Sequence, residues 1–297
     1  MANKTTNQSE ASQMKKTGHI EVDDFKFRYF IEGEGPDTLI IGSSIYYSRS
    51  FSQNLCKSLR LHFVDHRGFA EPPTHGVNEV SSFDVLLDDI EQIRQKLSLK
   101  KCMVVGHSAN GRLALEYAKK YKEHVSHAVM IGTPPHMGPD NLAMADRNWD
   151  ESVWPERKAA FERNMKMFPN EELSKLPRDQ QFSKMNARNA PKNWYDYHFD
   201  SSFLWQGVKP NIKTLDQMHL QFGREIDSSK RLESLSCPIM LAYGRFDFAV
   251  PPVQSWDPFR SKFKDLTVRI FERSAHSPQY EEAILFDEEL LKWIART

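Results

Sequence analysis

Residues 101–121 read Lys101-Cys102-Met103-Val104-Val105-Gly106-His107-Ser108-Ala109-Asn110-Gly111-Arg112-Leu113-Ala114-Leu115-Glu116-Tyr117-Ala118-Lys119-Lys120-Tyr121, and this stretch decides the fold. A short apolar run, Cys102 to Val105, ends in small residues. A segment with helical apolar spacing follows at once, with Leu113, Tyr117, Ala118 and Tyr121 on one face. A strand passing through a tight turn into a helix exposes a serine hydroxyl, here Ser108, as a nucleophile. The flanking residues are small because the turn is strained and bulky neighbours would collide with strand and helix. The helix N-terminus offers the amide of Ala109, and its dipole, to an oxyanion beside the serine.

One letter departs from the G-x-S-x-G spelling of such a turn. Asn110 stands where the second glycine is usual, and Gly111 falls one residue late. Asn is short and tolerates unusual backbone angles, so the turn is expected to survive. Alone, a serine opening a helix reads as an N-cap. The catalytic reading needs partners elsewhere.

Forty basic residues balance forty acidic ones in a chain of 297 residues, so charge gives no reason to expect nucleic acid or an anionic membrane as partner. The length suits one large α/β domain with an insertion, or two ordinary domains. Cys56, Cys102 and Cys237 are too few and too scattered for a disulfide framework or a zinc site, which points to a reducing, cytoplasmic setting. Residues 1–17 are polar and read as a flexible tail without a signal peptide. No run approaches the ~18 apolar residues of a membrane span.

Alternation predicts a β-hairpin from His19 to Ile31 about Asp23-Asp24, and strands at Thr38–Ile41, Leu61–Asp65, Val125–Ile131, Pro238–Tyr243 and Leu266–Phe271. Helices are expected near Phe51–Leu59, after the capping-box-like Ser81-Ser82-Phe83-Asp84, over Pro251–Phe263 and over Pro278–Ile294. Between His136 and Lys230 no strand is evident, only helical segments broken by prolines. Strands alternating with helices predict an α/β fold with a mainly parallel sheet covered on both faces. Residues 18–135 and 231–297 form its core, and residues 136–230 an inserted helical cap.

A serine nucleophile needs a base, an orienting carboxylate and oxyanion donors. Asp247 follows the strand ending at Tyr243, and His276 follows the strand ending at Phe271. Open α/β sheets bind ligands at these C-terminal strand ends. The order Ser108, Asp247, His276 is that of α/β-hydrolases. Each residue alone has a plainer role as a cap or loop residue, but their joint placement after successive strands does not. Asp140 is a second candidate acid without a comparable motif. His107 is expected to pack under the turn. His62 and His66 lie four apart with no third ligand in view, so no metal is expected, and this chemistry requires no cofactor.

On these motifs the chain resembles the α/β-hydrolase superfamily, in its capped serine hydrolase branch of proline iminopeptidases, C–C hydrolases and esterases. Asp65-His66-Arg67-Gly68-Phe69-Ala70 is similar to the family's Asp-x-Arg-Gly-x-Gly stretch. Gly244-Arg245-Phe246-Asp247 resembles its acid turn, and Ala275-His276-Ser277-Pro278 its histidine turn. A serine at 108 argues against the epoxide hydrolases and haloalkane dehalogenases, whose nucleophile is an aspartate. The resemblance implies an α/β-hydrolase fold and hydrolysis of an ester, amide, thioester, lactone or C–C bond of a small molecule. Relatives carry His-Gly in the oxyanion loop where this chain has Gly42-Ser43-Ser44. Ser44 is the expected first donor, with Ile45 next, and Ala109 is the second. Ile45, Tyr46 and Tyr47 are expected to face the substrate. Trp149, Trp154, Trp194, Tyr195, Tyr197 and Trp205 either line a pocket or form the core of the insertion. An iminopeptidase reading would use a cap acid such as Glu151, Glu156 or Glu162 to hold an ammonium group. A ligand-binding protein without turnover is the remaining alternative.

Overall fold

Asp23 and Asp24 both take positive φ, 47° and 64°, and turn β1 (Lys16–Val22) back onto β2 (Phe25–Glu32) as an antiparallel hairpin. Paired positive φ matches the right-handed twist of the strands, and aspartate tolerates it better than most residues. The computed structural model describes residues 15–73, 82–218 and 225–297. Ser81 lies outside them, and β1 begins inside the stretch expected to be tail. β3 (Asp37–Gly42), β4 (Arg60–Asp65), β5 (Cys102–His107), β6 (Val125–Ile131), β7 (Ile239–Gly244) and β8 (Leu266–Phe271) complete one eight-stranded sheet. Its order is β1-β2-β4-β3-β5-β6-β7-β8, parallel from β4 to β8.

Both faces are buried, which explains the nearly unbroken apolar runs of the central strands. Leu39, Ile41 and Val104 pack on one face with α2 (Phe83–Lys96) and α3 (Ala109–Lys120). Ile40, Met103, Val105 and Val129 pack on the other, with α1 (Ser44–Ser50) and the C-terminal helix. Leu113 and Leu115 of α3 are fully buried, and truncation of such a side chain to alanine costs about 2–5 kcal/mol. Arg67 belongs to this framework: it donates to Asp89 of α2 and to Asp23 of the hairpin turn.

Between β6 and β7 come seven helices among the described residues: α4 (Pro139–Ser152), α5 (Pro155–Met167), α6 (Asn170–Leu173), α7 (Arg178–Arg188), α8 (Ala190–Asn193), α9 (Ser202–Trp205) and α10 (Ile212–Asp216). The excursion leaves and returns at one neck, where the Ser228 N–H donates to the Pro135 carbonyl at 2.8 Å. Buried Lys119 of α3 fastens the returning chain by donating to the carbonyls of Ser228 and Lys230. Three expected helices differ. The one after β3 starts earlier, at Ser44 on its cap Ser43, and 51–59 holds only a 3₁₀ turn, Leu55–Lys57. Residues 253–262 are 3₁₀ rather than α, with Pro258 inside lacking the N–H an α-helix needs. The last helix divides at Glu282 into α11 (Pro278–Glu281) and α12 (Ala283–Arg296).

Candidate active site

β5 ends in His107, and Ser108 takes φ 57°, ψ −128° before α3 begins at Ala109. That backbone conformation is strained for a residue with a side chain, and its neighbours hold it in place. The Ser108 N–H donates to Ile131 at 2.8 Å, and Thr133 Oγ1 donates to the Ser108 carbonyl at 3.0 Å. Gly111 sits against that threonine, where a Cβ would come 1.9 Å from Thr133 Oγ1. The late glycine therefore serves helix packing. The expectation that Asn110 must tolerate unusual backbone angles is not met: it lies within α3, and the unusual angles fall on Ser108.

Asp247, after β7, and His276, after β8, meet as expected: Oδ2 to Nδ1 is 2.8 Å, with both residues buried. Burial opposes protonation of His276, but the charge and hydrogen bond of Asp247 outweigh it and raise its pKa above the ordinary imidazole value. An imidazole so held presents Nε2 and can take a proton there. Asp140 is exposed and lies 3.8 Å from His136.

A cavity of about 600 Å³ brings Ser108, Ala109 and His276 together with Ser43, Tyr46 and Tyr47. Two expectations for the oxyanion loop need correction. The Ser44 N–H is already committed, donating to Asp65 Oδ1 at 2.7 Å, and Ser43 is the loop residue that lines the cavity. Ile45 faces a separate cavity beside His19, Lys26 and Arg28. Burial pushes the Asp65 carboxyl up to about 7, against the hydrogen bond from Ser44. Of the insertion's aromatics, Phe182, Trp194 and Trp205 line the cavity, and Trp205 stacks on Tyr46 with centroids 4.0 Å apart. Trp149, Trp154, Tyr195 and Tyr197 pack elsewhere. His62 is spent on Asp37 at 2.7 Å.

The family profile described as the alpha/beta hydrolase fold matches residues 39–283, most of the chain. The chain belongs to the α/β-hydrolase family. It is 34% identical over 281 residues to the AB hydrolase superfamily protein YclE of Bacillus subtilis, covering 95% of this chain and 99% of that protein. It is 24% identical over 231 residues to the proline iminopeptidase PfmaB of Pestalotiopsis fici, covering 76% and 78% of the two chains. An alpha/beta fold family hydrolase from Bacillus anthracis superposes with a TM-score of 0.70 at 19% identity, covering 93% of this chain and 98% of that one. The protein is therefore an enzyme of hydrolase type.

This α/β hydrolase also holds its site with residues that sequence reasoning missed. The segment 192–195 braces the loops that carry Asp247 and His276. The Phe248 N–H donates to Lys192, the His276 N–H donates to Asn193 at 3.0 Å, and the Tyr195 N–H donates to Glu281. Glu281 also accepts from Ala275 and Ser277; burial raises its carboxyl pKa to about 7. Fully buried Arg157 supports the segment by donating to the carbonyls of Pro191, Trp194 and Tyr195. Every one of these contacts has a backbone N–H or carbonyl as one partner, so no pairing of side chains could have announced them. The described lining of the cavity carries one carboxylate, Asp216; Glu151, Glu156 and Glu162 are exposed and do not line it. Among the described residues no helix is long and apolar enough to cross a membrane.

Proposed function

We propose that this hydrolase cleaves an ester, amide or related acyl bond of a small molecule through Ser108, His276 and Asp247. One observation carries the reading: a strained, cavity-facing serine shares its cavity with an imidazole fixed to a buried carboxylate at 2.8 Å. In this reading His276 takes the proton from Ser108, whose Oγ attacks the carbonyl carbon and forms a tetrahedral oxyanion. The amides of Ser43 and Ala109 stabilise that charge, at roughly 3 kcal/mol per donor. Collapse transfers the proton to the leaving group and leaves an acyl-enzyme, which water attacks after His276 deprotonates it. The insertion, residues 136–230, acts as a helical cap whose aromatic and carboxamide side chains form the acyl pocket. Gln181, Asn186, Asn189 and Asn193 on that wall favour an uncharged, hydrogen-bonding acyl group. Three buried free cysteines fit a cytoplasmic setting.

Fluorophosphonate labelling tests the mechanism. The wild-type protein is expected to be labelled and to hydrolyse p-nitrophenyl esters, and Ser108→Ala to do neither. Labelling unchanged in Ser108→Ala would remove the serine from the mechanism. Asp216 favours a second, narrower reading, an aminopeptidase that holds a substrate ammonium, as the likeness to a proline iminopeptidase also suggests. That reading requires turnover of a prolyl arylamide, lost in Asp216→Asn while ester hydrolysis persists.

A further inference from the structure

Two oddities of this chain, glycine at 42 in the oxyanion loop and asparagine at 110 in the serine turn, meet at a third residue, Tyr47. A Cβ added at Gly42 would lie 2.0 Å from Tyr47 Cε2 and 2.9 Å from Asn110 Nδ2. The tyrosine ring and the carboxamide thus fill the space that any side chain at 42 would need. Asn110 Nδ2 lies 3.0 Å from Tyr47 Oη, Tyr47 Oη lies 3.2 Å from His107 Nδ1, and His107 Nε2 lies 2.7 Å from the backbone oxygen of His276.

The direction of every bond follows from its last member. The His276 carbonyl can only accept, so His107 carries its proton on Nε2 and its Nδ1 is an acceptor. Tyr47 must then donate to His107, leaving its oxygen to accept from the Asn110 amide. Burial keeps His107 well below the imidazole range and raises the Tyr47 phenol, so both stay neutral and the chain keeps one polarity.

We infer that Asn110, Tyr47 and His107 are positioning residues that lock the serine turn, the oxyanion loop and the base loop into one register. Asn110 follows the oxyanion donor Ala109 directly. Tyr47 belongs to α1, whose N-cap is Ser43. His107 precedes the nucleophile and holds the main chain of the base itself. One relay of side chains therefore fixes the three pieces that must sit within a fraction of an ångström for acyl transfer. The inference rests on the serine mechanism proposed above.

Steady-state ester hydrolysis by Tyr47→Phe, Asn110→Gly and the double variant, with Ser108→Ala beside them, tests it. Each single variant is expected to lower kcat about tenfold with KM within twofold of wild type. The double variant is expected to fall no more than about twofold further, because both changes break the same chain. Single variants with wild-type kcat would overturn the inference. So would a double variant whose loss is the product of the single losses, or a rise in KM at constant kcat, which would make these residues substrate contacts. Rates are normalised to the fraction of protein titrated by fluorophosphonate, so a folding defect does not pass for a positioning one. Failure of the serine mechanism is told apart by its own signature, turnover surviving in Ser108→Ala.

Discussion

The backbone N–H of His276 donates to the carbonyl of Asn193 at 3.0 Å, so the expected catalytic base is hung from the helical segment inserted between β6 and β7. Phe248, one residue past Asp247, hangs from the same segment through Lys192. The acid–base pair is thus spaced by a part of the chain that belongs to neither loop.

Arg157 is what keeps that segment in shape. Arg157→Met would leave two buried carbonyls and one half-buried carbonyl without this donor, and the expected loss is about 3 kcal/mol of stability by urea denaturation. Arg157→Lys is expected to recover only part of it, because an ammonium cannot reproduce the planar fork. Stability unchanged in Arg157→Met would show that the segment holds its own shape.

Replacing Asp247 by Asn is expected to lower kcat about 10⁴-fold, through loss of the imidazole's correct tautomer. The raised pKa of His276 places the acid limb of wild-type kcat/KM above the ordinary imidazole value of 6.5. In Asp247→Asn, any residual activity should show that limb moved downward. A limb that stays put would mean that another group sets it.

Stability and activity should run in opposite directions with pH. His276, Asp65 and Glu281 all have folded pKa values raised above those of the unfolded chain, the two carboxyls to about 7. Folding then takes up protons as pH falls, so their contribution is full at low pH and is lost as pH rises through the folded values. From pH 8 down to 6.5 stability is expected to rise, on the order of 1 kcal/mol, while kcat/KM falls as His276 protonates. Buried His107, with its lowered pKa, opposes this only below about 6.5. Urea midpoints across that range, read beside the rate profile, check both slopes.

Proline separates the two candidate donors of the oxyanion loop. Ser43→Pro removes the amide proposed as oxyanion donor and is expected to cost about 10²–10³ in kcat. Ser44→Pro stands at the first helical position, where proline is tolerated, but it strips Asp65 of its donor. It should cost about 1–3 kcal/mol of stability and little kcat. Ser43→Ala controls for the cap bond to Tyr46, at about 1 kcal/mol. A kcat loss confined to Ser44→Pro would return the donor role to Ser44.

The strands were legible because a doubly covered sheet forces runs rich in apolar and β-branched residues. Val125–Ile131 and Leu266–Phe271 have the bounds the pattern implies. Ser108, Asp247 and His276 were legible because each follows such a run at its C-terminal end. The oxyanion loop was not: Ser43 and Ser44 are chemically alike, and only the carboxylate of Asp65, from a neighbouring strand, distinguishes their amides. The role of Asn110 was hidden for the same reason, since its partner Tyr47 stands far away in sequence. The helix expected over 251–263 failed on Pro258, which the apolar spacing alone could not weigh.

The hydrogen bond between Ser228 and Pro135 closes the insertion into a loop with a single doorway. In recombination terms, residues 136–227 could be excised and the ends rejoined with almost no gap to bridge. The strands and the helices α1, α2, α3 and α12 that cover them lie outside the excised piece, but Leu215 and Met218 would be lost from one buried layer and Trp194, Leu204 and Val208 from the other. The chemistry should not survive, because Lys192, Asn193 and Tyr195 leave with the excised piece. Swapping this segment between relatives would therefore exchange more than a preference for one acyl group; a donor segment would have to bring its own brace for the histidine.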